Sequence, residues 1–328
     1  MPDSDLVLTR ARLDRVRHGA TAVSGAPAVF RIAGSGALSC LQGMLTNDLE
    51  KPGDQSIVYG ALLTPKGMII VDAWVVRQPD AFTVIVPLGG RAVALELLQR
   101  HLPPRLARVS DLTDQARVVW LLGGHGFQVL AKSGIGMPES AGRAVSVGGD
   151  LSPVVVALAP ESAPFVGMLV GLAPAVDALA ARLTASGATP GDGGDLHAAR
   201  LLGGWPTLGV EIDERTLPQE VRYDEIGGVS YTKGCYTGQE TVARLHFRGH
   251  TNRELRGLRW LGTAPMAGRG VIHGQKEVGA VRSTLTLEDR RMGLCTIRRE
   301  IEPGEMVMAG GAEARVVALP FGAEELDG

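Results

Sequence analysis

One cysteine in the sequence has a setting that could support chemistry. Cys235 lies on a turn between Gly234 and Gly238, and Lys233 precedes it by two residues. From Gln239 onward the apolar spacing predicts a helix. A cysteine just before a helix N-terminus and near a cation is favoured as the thiolate, the form that attacks and that binds soft metals. The turn therefore predicts a reactive cysteine; a free cysteine packed as a small hydrophobe is the alternative.

Other common catalytic and metal-binding motifs are absent from the sequence. There is no phosphate-binding GxxxxGK[ST] loop, no HExxH and no GxSxG. Cys40, Cys235 and Cys295 stand far apart without CxxC spacing, which predicts neither a disulfide framework nor a preformed zinc site. His246 and His250 are four residues apart, but no acidic third ligand follows in helical register. The sequence therefore predicts no permanently bound metal.

Length and charge restrict the class of protein. A chain of 328 residues suggests two or three domains. Its net charge of −2 gives no bulk attraction to nucleic acid, so DNA binding is not expected. The basic residues between Arg244 and Arg259 form either a solvated seam or a receptor for an acidic tail or an RNA backbone. No uninterrupted apolar run reaches the length of a membrane span, and the sparse cysteines fit a reducing compartment, so we expect a soluble, cytoplasmic protein.

The first part of the chain alternates strand-like and helical patterns. Residues 1–27 are polar and predict no regular structure. The pattern then predicts a strand at 28–33, a helix at 37–49, and three strands separated by turn signals at 56–64, 68–77 and 81–86. A helix at 90–102 follows and is stopped by two prolines. Consecutive strands without intervening helices predict an antiparallel sheet.

The second part repeats this plan, and the third differs from it. Strands are predicted at 116–122, 127–130, 143–147 and 153–157, and helices at 174–185 and 196–202, with Asp195 as the N-cap of the last helix. From residue 255 onward six short strands without a helix predict a small barrel. The sequence thus predicts an α+β fold with a body at 1–249, divided into half-domains at 1–105 and 106–249, and a C-terminal β-barrel at 250–328.

The cysteine turn also resembles a family signature. Its residues Lys233 to Glu240, KGCYTGQE, resemble the signature of the YgfZ-type folate-binding proteins. These form the cysteine-bearing branch of the glycine-cleavage T-protein (aminomethyltransferase) superfamily and are linked to iron–sulfur cluster assembly and repair. Residues 41–48 and 61–67 resemble the first segment of the same superfamily. The resemblance implies a two-part folate-binding body with antiparallel sheets, followed by a small barrel.

The resemblance also implies a ligand and a set of site residues. The ligand is tetrahydrofolate or another reduced folate, and the catalytic residues are Cys235 and Lys233. The implied cofactor-binding residues are Asn47, Asp48, Asp72, Arg200, Tyr236, Gln239 and Glu240. For Asn47 and Asp48 the alternative is that they satisfy nearby backbone groups. For Arg200 the alternative is a solvated arginine at a helix end, because Leu202 replaces the glutamate that many relatives carry two residues later.

Three functions remain open at this stage. The first is a folate-binding protein of iron–sulfur cluster assembly or repair, whose partners are iron–sulfur client or assembly proteins. The second is an aminomethyltransferase that passes a one-carbon unit to tetrahydrofolate; its paired acids are incomplete here, since Val71 precedes Asp72. The third is a non-catalytic scaffold on the same body. The sequence leaves open whether the first is an enzyme or a non-enzymatic folate-binding maturation factor; the second is an enzyme and the third is not.

Overall fold

Antiparallel strands carry most of the architecture. The computed structural model describes residues 5–148, 153–262, 266–288 and 290–327. Within these residues the strands are β1 (Asp5–Leu8), β2 (Thr21–Gly25), β3 (Ala28–Ala33), β4 (Ser56–Leu63), β5 (Ile69–Arg77), β6 (Ala81–Val86), β7 (Arg108–Asp111), β8 (Ala116–Leu122), β9 (Ala144–Val147), β10 (Val154–Leu158), β11 (Gly167–Leu172), β12 (Thr189–Gly191), β13 (Arg253–Trp260), β14 (Gly270–His273), β15 (Lys276–Leu287), β16 (Arg290–Arg298), β17 (Met306–Ala309) and β18 (Ala312–Val317).

The helices lie between the strands and after the last one. They are α1 (Arg10–His18), α2 (Ala37–Gln42), α3 (Arg91–His101), α4 (Gly126–Lys132), α5 (Ala173–Ala185), α6 (Gly193–Leu202), α7 (Gln239–Arg248) and α8 (Ala323–Asp327). Single turns of 3-10 helix occur at Leu88–Gly90 and Pro218–Val221. No helix in the described part of the chain is long and apolar enough to cross a membrane.

The first sheet has the strand order β4-β5-β6-β3-β7. Its strand β4 is buried along its whole length, because alternate side chains face two different cores. Val58 and Leu62 face the core covered by α2 and α3, whereas Tyr59 and Ala61 face an aromatic core on the other side. The predicted three-strand meander is confirmed. The predicted helix 37–49 is too long, since α2 ends at Gln42 and the chain turns back to pair with β4.

The second sheet has the order β12-β2-β8-β11-β10-β9 and is covered by α4 and α5. The predicted strand at 127–130 is wrong, because these residues lie in α4. Val129 and Leu130 are buried in the core beneath the helix, whereas Phe127 is exposed. Four apolar residues are too few to distinguish a helix from a strand by periodicity.

The third sheet closes into a six-stranded barrel in the order β15-β14-β17-β18-β13-β16, because β16 pairs with β15. The predicted barrel is confirmed, and its first strand begins at Arg253.

The prediction that residues 1–27 are irregular is wrong in the described part. There β1 pairs in parallel with β15 of the barrel, α1 follows, and β2 joins the second sheet. β7 joins the first sheet from just beyond residue 105, and the division into half-domains stays a prediction.

Candidate functional site

The cysteine turn connects the body to α7. Cys235 is exposed, whereas Cys40 is partly buried and Cys295 is fully buried. Gly238 precedes the first residue of α7 with a φ of 84°, and a Cβ there would lie 2.6 Å from the carbonyl oxygen of Thr64. Only glycine fits this position, since it needs both the left-handed conformation and the space. The turn therefore presents one thiol to solvent at a fixed place before the helix.

Lys233 does not direct its ammonium group to solvent. Its Nζ donates hydrogen bonds to the carbonyl oxygens of Gln42, Leu45 and Asn47 at 2.8, 2.6 and 2.8 Å. These bonds use all three N–H donors of the side chain. Burial lowers the pKa of Lys233 to about 8, although the charge of Asp48 opposes this shift. In this structure Lys233 ties the cysteine turn to the segment after α2; its predicted catalytic role stays a prediction.

The other predicted residues of the signature differ in exposure. Tyr236 is buried in the aromatic core, which raises the pKa of its hydroxyl to about 12, and its ring centroid lies 5.1 Å from the Nζ of Lys233. Gln239 is half-buried, and its backbone N–H donates to the carbonyl oxygen of Tyr236 at 3.2 Å. Glu240 is exposed in the first turn of α7. Tyr236 thus anchors the turn from inside, and Glu240 faces solvent.

Asn47 and Asp48 satisfy backbone and neighbouring side-chain groups. The amide of Asn47 donates to the carbonyl oxygens of Tyr59 and Gly227, at 2.7 Å each. One carboxylate oxygen of Asp48 accepts from Gln42 and from two backbone N–H groups, and together these bonds lower the pKa of Asp48 despite its partial burial. These contacts match the local alternative for both residues. A direct contact with folate stays a prediction.

Asp72 is the predicted residue with the most unusual environment. Its side chain is buried, and Oδ2 accepts a hydrogen bond of 3.1 Å from the hydroxyl of Tyr59. Oδ1 is buried and has no partner among the described residues. Aromatic rings surround this part of the core: Tyr59, Trp74, Trp205 and Tyr223. A buried carboxylate oxygen without a donor costs free energy, so the site is suited to a ligand that brings an N–H group.

Burial raises the pKa of Asp72 from 3.8 to about 6, against the opposing hydrogen bond from Tyr59. Between these values the folded protein holds a proton that the unfolded chain has lost, so the stability contribution of Asp72 falls as pH rises through this window. Two pKa units correspond to about 3 kcal/mol. The free energy of unfolding of Asp72→Asn is compared with that of wild type by urea unfolding at two pH values. We expect the difference, variant minus wild type, to be about 2–3 kcal/mol higher at pH 7.5 than at pH 4. A stability difference that does not change with pH would contradict this.

Arg200 lies on α6, whose N-terminus is fixed by a capping box between Asp192 and Asp195. The predicted cap was Asp195, but Asp192 is the N-cap and Asp195 is its partner three residues later. The guanidinium of Arg200 is buried and pairs with Glu211 at 2.9 Å. Glu211 in turn accepts a hydrogen bond of 2.6 Å from Ser283 of the barrel. The solvated alternative for Arg200 is therefore wrong.

The same guanidinium contacts two further groups. It donates to the carbonyl oxygen of Trp205 at 2.7 Å and lies 3.1 Å from Nδ1 of His197. Burial, with the charge of Arg200, lowers the pKa of His197 to about 4, so this imidazole is neutral at physiological pH. Arg200 thus links α6, the aromatic core and the barrel in one network.

Two clefts open near these residues. One of about 470 Å³ lies between α1, α4 and α6 and is lined mainly by apolar groups, among them Phe165 and Leu202. Phe165 contacts Trp74 of the aromatic core with a centroid distance of 4.9 Å. A second cleft of about 1260 Å³ lies between the end of α7 and the barrel and is polar. The seven predicted cofactor-binding residues line neither cleft.

The two surface histidines considered for metal binding do not form a site. Nδ1 of His246 lies 3.2 Å from Asp224, and its ring stacks on Tyr231 with a centroid distance of 3.6 Å. Within the described ranges no three His, Cys, Asp or Glu side chains are placed to hold a metal ion.

Sequence reasoning missed Tyr59, Tyr223 and Glu211, which are the partners of the predicted residues. Tyr59 lies on β4, opposite Trp74 of β5, so the strand register could have indicated it. Tyr223 lies 164 residues further along the chain, and Glu211 lies on an irregular segment. No periodic pattern marks these two.

Comparisons with known proteins agree with this fold. A family model described as the GCVT N-terminal domain matches residues 15–139. Curated relatives called tRNA-modifying protein YgfZ, from Escherichia coli O6:H1 (strain CFT073) and O6:K15:H31 (strain 536), are each 26% identical over 310 residues, which covers 91% of this chain and 92% of each relative. The solved structure of glycine cleavage system aminomethyltransferase T from Bartonella henselae has a TM-score of 0.81 and 18% identity, covering 95% of this chain and 89% of that one. Over most of its length the chain is therefore similar to the YgfZ proteins, and its fold is that of the glycine-cleavage T-protein.

Proposed function

We propose that this protein binds tetrahydrofolate or another reduced folate and acts in iron–sulfur cluster assembly or repair through Cys235. The observation that carries the proposal is the exposed thiol of Cys235 on a turn that is otherwise held firmly. Lys233 and Tyr236 are buried on either side of it, and the backbone N–H of Thr237 donates to Gly43 at 3.1 Å. A rigid support with one accessible thiol suits a residue that must meet a partner protein.

Cys235 would act by holding a sulfur or iron species in transit. A thiolate is a nucleophile and a soft-metal ligand. Clusters usually require four thiolates, and the two other cysteines are partly or fully buried. One exposed thiol can therefore carry cargo between iron–sulfur assembly proteins and their clients, but it cannot keep a cluster.

The aromatic core offers features that fit a reduced folate. A pterin ring is flat and carries amino and ring N–H groups, which a carboxylate accepts. Asp72 supplies a buried oxygen without a donor, and Trp74 and Trp205 lie beside it with their rings 11° from parallel. The cleft of about 470 Å³ approaches this core through Phe165 and lies within the size range of small-molecule sites. When bound, a reduced folate supplies a carrier for one-carbon units.

Folate binding is expected to quench tryptophan fluorescence, because two of the four tryptophans lie in this core. Asp72→Asn should weaken binding about tenfold or more, since it removes a charged acceptor. The measurement is a titration with tetrahydrofolate under reducing, oxygen-free conditions, followed by fluorescence and by calorimetry. Asp177→Asn, on the exposed side of α5, is the control and should bind as wild type does. If titration to millimolar folate produces no heat and no quenching, this part of the proposal is excluded.

An aminomethyltransferase is the second candidate, favoured by the buried carboxylate of Asp72 on a T-protein fold. The replacement of one acid by Val71 argues against it. Val71 is fully buried in the core between the first sheet and α3, whereas Asp72 faces the opposite side. Asp72 is therefore the one carboxylate at these two positions, and it faces the aromatic core. Turnover near that of an authentic T-protein in a reconstituted glycine-cleavage assay would support the second candidate instead.

A further inference from the structure

The aromatic core around Asp72 has a regular side and an irregular side. Tyr59 and Trp74 lie on β4 and β5, which pair with each other in the first sheet. The opposite side comes from residues 203–238, which contain one turn of 3-10 helix and no other helix or strand. This connecting segment, residues 203–238, contributes three buried rings to the core: Trp205, Tyr223 and Tyr236.

The rings of the core are already packed against one another. The ring centroid of Tyr59 lies 4.9 Å from that of Trp205 and 5.4 Å from that of Tyr223, which is the range of direct contact. Because protein interiors are close-packed, a flat ligand that reaches the unpartnered Oδ1 of Asp72 has to displace a ring. Displacement is easier on the connecting segment, since the strands on the other side are fixed by their pairing.

Tyr236 is the least restrained of the three rings on the connecting segment. The carbonyl oxygen of Trp205 accepts a hydrogen bond from Arg200, and the hydroxyl of Tyr223 is hydrogen-bonded to that of Tyr59. The hydroxyl of Tyr236 has no hydrogen-bond partner among the described residues, and the residue is 7% exposed, at the edge of the core. A ligand that enters the core therefore moves Tyr236 outward more readily than the two other rings.

Cys235 lies between this movable ring and a fixed point. On its N-terminal side Lys233 donates three hydrogen bonds to the backbone of residues 42–47. Between the two anchors, a Cβ added to Gly234 would meet no heavy atom within 4 Å, so the chain is free to turn there. If Tyr236 moves while Lys233 stays in place, Gly234 and Cys235 have to take up the change.

We propose that ligand binding in the aromatic core controls the Cys235 thiol: a bound folate moves Tyr236 outward and makes the thiol more accessible. This inference rests on the folate binding proposed above. It assigns to the folate a regulatory role, in which Cys235 accepts its cargo most readily when the core is occupied. Coupling between two binding equilibria is reciprocal, so a group attached to Cys235 raises the affinity for folate by the same factor.

Phe165 offers a competing route for the ligand. Its ring contacts Trp74 from the side of the apolar cleft, and it too lies outside helices and strands. A ligand that displaced only Phe165 would leave Tyr236 and Cys235 in place. The connecting segment is favoured because two of its rings contact Tyr59, the residue that donates to Asp72.

The test measures the equilibrium of Cys235 with oxidised glutathione, on the full-length protein without oxygen, with and without saturating tetrahydrofolate. The thiolate attacks one sulfur of the glutathione disulfide, which forms a mixed disulfide on Cys235 and releases one reduced glutathione. Mass spectrometry of the peptides separates Cys235 from Cys40 and Cys295. We expect folate to raise the equilibrium constant at Cys235 about fivefold or more, and the mixed disulfide to bind folate more tightly by the same factor.

Tyr236 provides a matched pair of variants. Tyr236→Leu removes the ring that links the core to the cysteine, so folate should then change the equilibrium constant less than about twofold. Tyr236→Phe keeps the ring and should keep the full effect. Asp177→Cys, at an exposed position on α5, places a thiol outside the connecting segment, and its equilibrium constant should not respond to folate.

Hydrogen–deuterium exchange of the wild-type protein gives a second measurement that needs no variant. The backbone N–H of Thr237 donates to the carbonyl oxygen of Gly43 at 3.1 Å, and an outward movement of Tyr236 breaks this bond. This amide should therefore exchange faster when folate is bound, although a ligand usually slows the exchange of the residues around it. Unchanged or slower exchange would contradict the proposed movement.

The outcomes separate this inference from the function on which it rests. An unchanged equilibrium constant in protein whose fluorescence shows folate binding would overturn the coupling and leave Phe165 as the residue that moves. An equal response at Asp177→Cys, or equal responses in the leucine and phenylalanine variants, would also overturn it. Absence of folate binding contradicts the proposed function itself and removes the coupling with it.

Discussion

Replacing Cys235 by serine is expected to abolish support of iron–sulfur enzymes in cells while changing the free energy of unfolding by no more than about 0.5 kcal/mol. The thiol is exposed, so its loss leaves no cavity and breaks no packed contact. The measurement is the activity of iron–sulfur enzymes in a deletion strain that carries the variant, most clearly under oxidative stress, with urea unfolding of the purified protein beside it.

The two other cysteines provide the controls for this experiment. Cys295 is fully buried in the barrel, which raises the pKa of its thiol to about 12, so a serine hydroxyl there would be buried in an apolar core. Cys295→Ser should therefore cost stability more than function, and Cys40→Ser should do the same to a smaller extent. Iodoacetamide at pH 6.5 should modify Cys235 first. If Cys235 reacts no faster than the others and its serine variant complements fully, the turn has only a structural role.

The largest loss of stability is expected from Glu211→Gln. This change keeps the size of the side chain but leaves the buried guanidinium of Arg200 without its counter-charge. It also replaces the carboxylate that accepts a hydrogen bond from the hydroxyl of Ser283, a barrel residue, by a neutral amide. Removing one partner of a buried ion pair usually costs about 3–5 kcal/mol. Urea unfolding at neutral pH should show a loss of this size.

Glu225→Gln is the matched control, because Glu225 also pairs with an arginine, Arg222, but is 58% exposed. Arg222 is buried, but it keeps its hydrogen bonds to the carbonyl oxygens of Gly203, Gly204 and Leu319 in the variant. Solvent reaches Glu225, so we expect a loss of at most about 1 kcal/mol. Equal losses in the two variants would mean that burial does not determine the contribution of the Arg200–Glu211 pair. A further variant with both Arg200→Met and Glu211→Leu should recover part of the stability, since no charge then stays buried.

Predictions from the sequence were best where a local rule acts alone. The glycines around Cys235 and the apolar spacing after Gln239 correctly gave the turn and the start of α7. The apolar patterns of the strands and the turn residues between them predicted the three-strand meander correctly. Each of these strands pairs with its neighbour in the chain, so local signals are sufficient. The barrel was predicted from its run of short strands without a helix, although β13 pairs with the distant strands β16 and β18.

The wrong predictions have a common physical cause. At these positions the structure is determined by contacts with residues that are distant in the sequence. Residues 127–130 form a helix because of the sheet on which they pack. β1 is a strand because β15 offers it an edge. The roles of Arg200 and Asp72 depend on Glu211, Tyr59 and Tyr223, and no spacing rule connects such residues. The candidate site residues were named from the family resemblance, but their buried partners required the structure.

The pairing of β1 with β15 also restricts the order of events during synthesis. Asp5 pairs with Thr284, so the first described strand must wait until nearly the whole chain has left the ribosome. The first sheet uses only residues between Ala28 and Asp111 and can assemble co-translationally. The barrel cannot recruit β1 at that stage, and contacts of such high sequence separation form slowly. Until then β1 remains an unpaired strand edge, which a chaperone would be expected to shield.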